Sequence, residues 1–159
     1  KWEIERIVND YTKQGVVRGI NPRLFAFAGP RLPLDAHFAV GNFMRQGLSG
    51  KDVVVSGNRN TVRSYLHPVD AITWLMKSSL IETLEILHIG SSIALSMNEI
   101  AEKISQIFNV GYRLEPTEQI PSIYYPSNNL TRDVLGMSQE LDFESSINRW
   151  KSWLNRVLN

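Results

Sequence analysis

Residues 86–108 read ILHIGSSIALSMNEIAEKISQIF. The run Ile86–Ile89 is apolar, short and closed by Gly90, which predicts a strand. Ser96 and Glu99 follow in the S-x-x-E spacing by which a hydroxyl and a carboxylate each satisfy a free backbone amide at a helix start. Ile100, Ile104, Ile107 and Phe108 then recur at the period of a helix with one apolar face. A strand that turns into an amphipathic helix is the unit of layered α/β folds.

The same alternation extends in both directions. Upstream, Trp2–Lys13 carries Ile4, Ile7, Val8 and Tyr11 at helical spacing, and Gly15 stands where a cap belongs. Residues 24–28 form an apolar stretch ending in the turn signal Gly29-Pro30, which reads as a buried strand. Residues 34–48 predict a helix starting near Asp35, with Phe38, Phe43, Met44 and Leu48 as its apolar surface. Val53–Val55, β-branched throughout, predicts a strand between Gly50 and Gly57. Tyr65 and Leu66 fit a short extended piece. Pro68 suits the first turn of a helix reaching Leu80, with Ile72, Leu75 and Met76 on its face. Residues 115–129 hold three prolines and two tyrosines and read as a loop with an extended piece around 123–125. A last helix from Asp142 aligns Phe143, Ile147, Trp150, Leu154 and Val157.

Composition narrows the function. A chain of 159 residues, 43% hydrophobic, has enough apolar material for a real core and is not disordered. Its 17 Lys+Arg against 16 Asp+Glu leave a net +1, without the basic face of a dedicated nucleic-acid binder. The balance is uneven: residues 1–67 carry ten cations and five anions, and residues 68–159 seven and eleven. Scattered cations without a basic run suit a small anionic ligand better than a polyanion. The absence of cysteine removes disulfides, thiol nucleophiles and thiolate metal sites, and is compatible with the cytoplasm. No apolar run approaches the ~20 residues of a membrane span. His37, His67 and His88 lie too far apart in sequence for a ligand pair, so no metal site is expected. No G-x-G-x-x-G, Walker-type loop or G-x-S-x-G elbow occurs. The sequence opens at Lys1 rather than methionine, already inside a helical pattern, and its start is expected to be a cut one.

Three segments are more specific: KWEIE at 1–5, RLFAFAGP at 23–30 and GNRNTVRSYLHPVD at 57–70. In this order and spacing they resemble the second half of extended short-chain dehydrogenases, the NAD-dependent sugar-nucleotide epimerases and dehydratases. Lys1 and Glu5 match the end of Y-x-x-x-K and its following glutamate. Arg23, Phe25, Gly29 and Pro30 match a strand-end motif like R-x-F-N-x-x-G-P. Gly57, Arg63, Tyr65, His67 and Asp70 match a motif like G-x-G-x-x-x-R-D-Y-x-H-x-x-D. LHIGSSIALSMNEIAEKI and YYPSNNLTRDVLG extend the likeness over nearly the whole chain.

The resemblance implies an α/β fold, the C-terminal portion of a Rossmann-like enzyme without its dinucleotide-binding half. Residues 1–30 would belong to the dinucleotide-binding sheet layer and 31–159 mostly to a substrate-binding domain with returning strands. Lys1 would be the catalytic lysine, lowering the pKa of a tyrosine four residues before it so that the phenol acts as a base. Lys1 and Phe25 would face the cofactor, NAD or NADP, held only by a longer protein. Arg63 would fork onto the diphosphate of a nucleotide-sugar; its competing role is a surface salt bridge. Arg31 would be a further phosphate partner. His37 and Asn42 would hydrogen-bond the sugar or phosphate, and Phe38 would form a wall or, alternatively, pack in the core. Asp70 would anchor the helix near Pro68, and Tyr65 would pack. A homodimer through helices near the start of the chain is a further implication, as is a place in cytoplasmic polysaccharide biosynthesis.

Some positions depart from the pattern. Ala26, Ala28 and Ser64 replace asparagine, tyrosine and aspartate, and His88 stands where asparagine is common. Ala26 offers no amide to a substrate. The leading expectation is therefore the substrate-binding part of an epimerase or 4,6-dehydratase, inactive alone. A non-catalytic module that recognises a nucleotide-sugar or a protein is the alternative, and a structural domain acting through oligomerisation is the third reading.

Overall fold

The computed structural model describes residues 1–35 and 38–158. In chain order the elements are α1 (Trp2–Lys13), β1 (Asn21–Leu24), α2 (Ala39–Leu48), β2 (Val53–Val55), β3 (Val62–Arg63), α3 (Pro68–Ser78), β4 (Ile86–Ile89), β5 (Leu95–Ser96), α4 (Met97–Phe108), β6 (Tyr112–Leu114), β7 (Ile123–Tyr124), α5 (Asn129–Leu135) and α6 (Phe143–Leu158). The architecture is the expected α/β.

Two parallel pairs form the frame. β1 lies beside β4 with Asn21 opposite Ile86, and β2 lies beside β6 with Val53 opposite Tyr112. Parallel pairs need apolar cover, and each has its own core. Val53 and Val55 of β2 pack with Val40 and Met44 of α2, Ile100 and Ile104 of α4, and Ile147 and Trp150 of α6. Leu87 and Ile89 of β4 pack with Ala71 and Trp74 of α3 and Leu135 of α5. A third small sheet orders β5-β3-β7, antiparallel on one side of β3 and parallel on the other.

Strong local signals land where expected. Ser96 and Glu99 close the capping box of α4, each bonding the other's backbone amide. Gly15, at φ +71°, ends α1 as its N–H donates to Thr12 C=O while Val16 N–H reaches Tyr11 C=O.

Four expectations need correction. Residues 24–28 are not one buried strand, because the chain changes partner there. The ladder with β4 begins at Asn21, hidden in the sequence by Pro22, and an isolated bridge then joins Phe27 to Leu66. Leu24 and Phe27 stay exposed. α2 starts at Ala39 rather than near Asp35. The backbone of Pro33 folds back over its first turn, where a methyl added to Gly41 would come within 2.6 Å of Pro33 O. α3 ends at Ser78 and buries Asp70, Ala71, Trp74 and Ser78, leaving Ile72 and Met76 exposed. The Ser78 and Ser79 hydroxyls bond Leu75 and Met76 carbonyls and help finish the helix. In α6, Val157 lies outside the buried stripe, which ends at Leu154. The two-residue strands β5 and β3, together with β6 and α5, were not foreseen.

Candidate functional site

A cavity of about 840 Å3 opens between α2, β2 and the β3–β7 pair. That size falls in the range of small-molecule sites, roughly 300–1,000 Å3. Phe38, Asn42 and Arg63 line it together, so the structure unites three of the residues singled out in the sequence.

β3 positions Arg63. Its Cα is paired with Leu95 on one side and Tyr124 on the other. The guanidinium Nη1 donates to Val62 O at 2.8 Å and Ser122 O at 3.0 Å, and Nη2 donates to Ser122 Oγ at 2.9 Å. These bonds hold the head in place while leaving part of its five-donor fork unspent. Among the described residues no carboxylate pairs with it, so a surface salt bridge is not its role here. The loop before β7 is tied to the same wall: Asn58 Nδ2 donates to Gln119 O at 2.6 Å, and Val62 N–H to Ser122 O at 2.8 Å.

The opposite wall is α2. Gln46 Oε1 accepts the Val54 N–H at 3.0 Å and locks the helix to β2. Asn42 Oδ1 accepts from Arg45 Nη2 at 3.2 Å. Phe38 precedes the helix as its N-cap, exposed and without a side-chain cap bond, so it serves as cavity wall rather than core. No aspartate or glutamate lines the cavity among the described residues, whereas Arg45 and Arg63 both do. Its potential therefore favours an anion.

Tyr65 also reaches the lining. Burial pushes its phenol up to about 12, with Arg63 pulling weakly the other way, and its ring packs 5.9 Å from Phe143. It stays protonated near neutral pH and is a packing residue, not a base. His67 Nδ1 accepts the Val69 N–H and caps α3, and burial lowers its pKa from 6.5. Asp70 does anchor this corner, accepting from Leu141 N–H at 3.3 Å, although the cap itself is His67.

The remaining candidates lie elsewhere. Arg31 is exposed in a left-handed turn at φ +71° and does not line the cavity. His37 lies outside the described residues. Lys1 is exposed at the start of α1. One turn on, Glu5 receives a two-pronged bond from Arg23, at 2.8 and 2.6 Å, and that bond holds its carboxyl below the usual range. The two motif residues thus serve to dock α1 on β1. Phe25 stacks on Tyr124 at 5.1 Å and tilts against His88 at 5.3 Å. Lys1 is exposed and Phe25 half-buried, and neither lines the cavity. Ala28 is fully buried in the core, where the tyrosine common in the resembled motif has no equivalent. Among the described residues no group of three or more potential ligands surrounds a metal position.

Sequence reasoning missed Arg45, Ser122 and Tyr124, all on the cavity. Arg45 fell inside a helix read for its apolar face. Ser122 and Tyr124 sit in a proline-rich loop with no periodicity, joined to β3 only by tertiary pairing.

The profile of the NAD dependent epimerase/dehydratase family matches residues 1–83, a little over half of the chain. UDP-glucuronic acid decarboxylase 5 of Arabidopsis thaliana is 26% identical over 117 residues, covering 74% of this chain and 34% of that protein. UDP-glucuronic acid decarboxylase 1 of the same plant is 23% identical over 163 residues, covering 100% and 38%. The chain thus spans little more than a third of the length of these relatives. A UDP-glucose 4-epimerase from Thermotoga maritima, solved with UDP-glucose, superposes with a TM-score of 0.85 at 16% identity, covering 100% of this chain and 53% of that one. A UDP-glucuronic acid 4-epimerase from Bacillus cereus, solved with UDP-glucuronic acid and NAD, gives a TM-score of 0.78 at 16% identity, covering 96% and 50%.

Proposed function

Since this chain belongs to the NAD dependent epimerase/dehydratase family, we propose that it is the nucleotide-sugar-binding part of an epimerase or 4,6-dehydratase. The observation that carries this reading is the cavity that no described carboxylate lines, in which β3 and Ser122 present an Arg63 without an ion-pair partner among the described residues. Arg63 holds the diphosphate through charge-assisted bonds. Asn42 supplies an amide to phosphate or sugar oxygens. Phe38 and Tyr124 give flat walls, to nucleobase or sugar, that exclude water.

When bound to a complete enzyme, NAD or NADP would accept and return a hydride from the sugar ring. Residues 1–30 form part of the layer that meets the cofactor side, with Lys1 placed toward the reacting base, and 31–159 form mostly the substrate side. By itself the chain binds substrate without turning it over. It works in the cytoplasm, and the exposed Ile4, Ile7 and Tyr11 of α1 serve a homodimer contact.

A non-catalytic recognition module is the second reading, favoured by one specific feature: Ala26 lines the cavity where the resembled motif places an amide. Thermal unfolding with UDP-glucose, UDP-glucuronic acid, free glucose and NAD separates these readings from failure. Stabilisation by the two UDP-sugars and not by glucose supports the site. Stabilisation by NAD alone, or turnover by the isolated chain, contradicts the proposal. Chain extended upstream by the dinucleotide-binding half regains turnover if the enzyme reading holds and stays silent if the module reading holds.

A further inference from the structure

Three helices meet at one aromatic ring. Phe108 ends α4, and its ring lies against Gly47 of α2, where an added methyl would come within 2.5 Å of Cδ2 and 2.6 Å of Cγ. Only a residue without a side chain lets helix and ring approach so closely. Lys151 of α6 stands over the same ring, its Nζ 4.6 Å from the centroid and within cation–π reach. That Nζ also donates to Ile107 O at 2.6 Å. α4 has no basic residue in its own last turn, so α6 supplies the cation that the carbonyl end of a helix favours. Lys151 is half-buried and forms no ion pair among the described residues, so its ammonium is committed to this corner.

The helix seated on this ring is a wall of the large cavity. Asn42 and Gln46 of α2 line it, and Gln46, next to Gly47 in the chain, also accepts the Val54 N–H. We propose that Lys151 is a positioning residue for the cavity, holding the Phe108 ring against Gly47 so that α2 keeps Asn42 and Gln46 in place. Lys151 does not line the cavity itself and acts only through the ring. Without the ammonium, the ring loses its cation and Ile107 O its donor. The end of α4 then loosens, and the last turn of α2 loses its seat. The effect on ligand binding rests on the nucleotide-sugar reading above, whereas the effect on α2 does not.

Amide exchange and calorimetric titration with UDP-glucose test this role in the parent, Lys151→Met, Lys151→Arg and Lys103→Met. Lys151→Met is expected to speed exchange in α2 and the last turn of α4, and to weaken UDP-glucose, each about threefold. α1 and α3 exchange as in the parent. Lys151→Arg keeps a cation over the ring and restores both readouts. Lys103→Met breaks another bond between α4 and α6, from Lys103 Nζ to Glu144 Oε1, and leaves α2 at the parent's rate. Unchanged α2 exchange in Lys151→Met, an equal rise in Lys103→Met, or unchanged affinity in Lys151→Met overturns the positioning role and leaves the nucleotide-sugar reading standing. No binding of UDP-glucose by the parent overturns that reading and, with it, the effect of Lys151 on binding.

Discussion

Arg63 and Ser122 depend on each other. The arginine was legible because its flanking residues are local in sequence, whereas Ser122 reaches it only through the β3–β7 pairing across a long loop. Ser122→Ala removes the side-chain bond to Nη2 and leaves the guanidinium held only by Nη1 on the Val62 and Ser122 carbonyls. It is expected to weaken nucleotide-sugar binding by ~1 kcal/mol, about fivefold, with little change in stability. Titration with UDP-glucose checks it. His67 sets a pH dependence. Burial holds its folded pKa below the ordinary 6.5, so the unfolded chain takes the proton more readily. Its contribution is intact above pH 6.5 and declines as pH falls below that value toward the folded pKa. Glu5, Glu99 and Asp142 are also depressed in the folded chain, by bonds from Arg23, Ser96 and Ser145, and they add a second loss as pH falls through their folded values. Urea unfolding between pH 8 and pH 4 should show stability falling first below about 6.5, and His67→Gln should flatten that first limb.

Elements with a complete local code were readable, and those defined by partners were not. α4 carries its own cap and stripe, and β2 is a β-branched run between glycines. By contrast β3 and β5 are two residues each and exist only because each finds a neighbour, whereas β7 falls on the extended piece expected around 123–125. The period of β3 and β5 cannot be seen in so short a run. The start of α2 was misjudged because Pro33 packs over the helix, a contact no periodicity announces. For α4, Ser96→Ala removes the capping box and should cost ~1 kcal/mol in chemical denaturation. α1 buries no residue completely and is held by Glu5–Arg23 and by Asn21, whose Nδ2 donates to Asn9 Oδ1 at 2.7 Å. Arg23→Met should therefore raise amide exchange in α1 while leaving α4 and α6 protected. Uniform protection would show that α1 is held by other contacts.

At the scale of the whole molecule, two cores share the chain, and burial within them decides which substitutions matter. The apolar count of α3 did not reveal its inward face, because Val69, Ile72, Met76 and Leu80 form an equally good stripe that the fold leaves exposed. Trp74, fully buried with Leu87 and Ile89, is the residue the core requires. Trp74→Ala should cost ~3–5 kcal/mol, whereas Ile72→Ser should stay within ~0.5 kcal/mol. Reversed effects would mean that the exposed stripe is the buried one. The charge asymmetry legible in the sequence ends in a definite place: of the cations in the basic first part, Arg45 and Arg63 face the cavity and meet no acid among its lining residues. The central claim is that this cavity binds the diphosphate of a nucleotide-sugar through Arg63. Calorimetric titration of UDP-glucose into the parent chain and into Arg63→Met tests it most directly. The account predicts saturable one-to-one binding by the parent and at least about a tenfold loss in the variant; equal affinity in the two chains would contradict it.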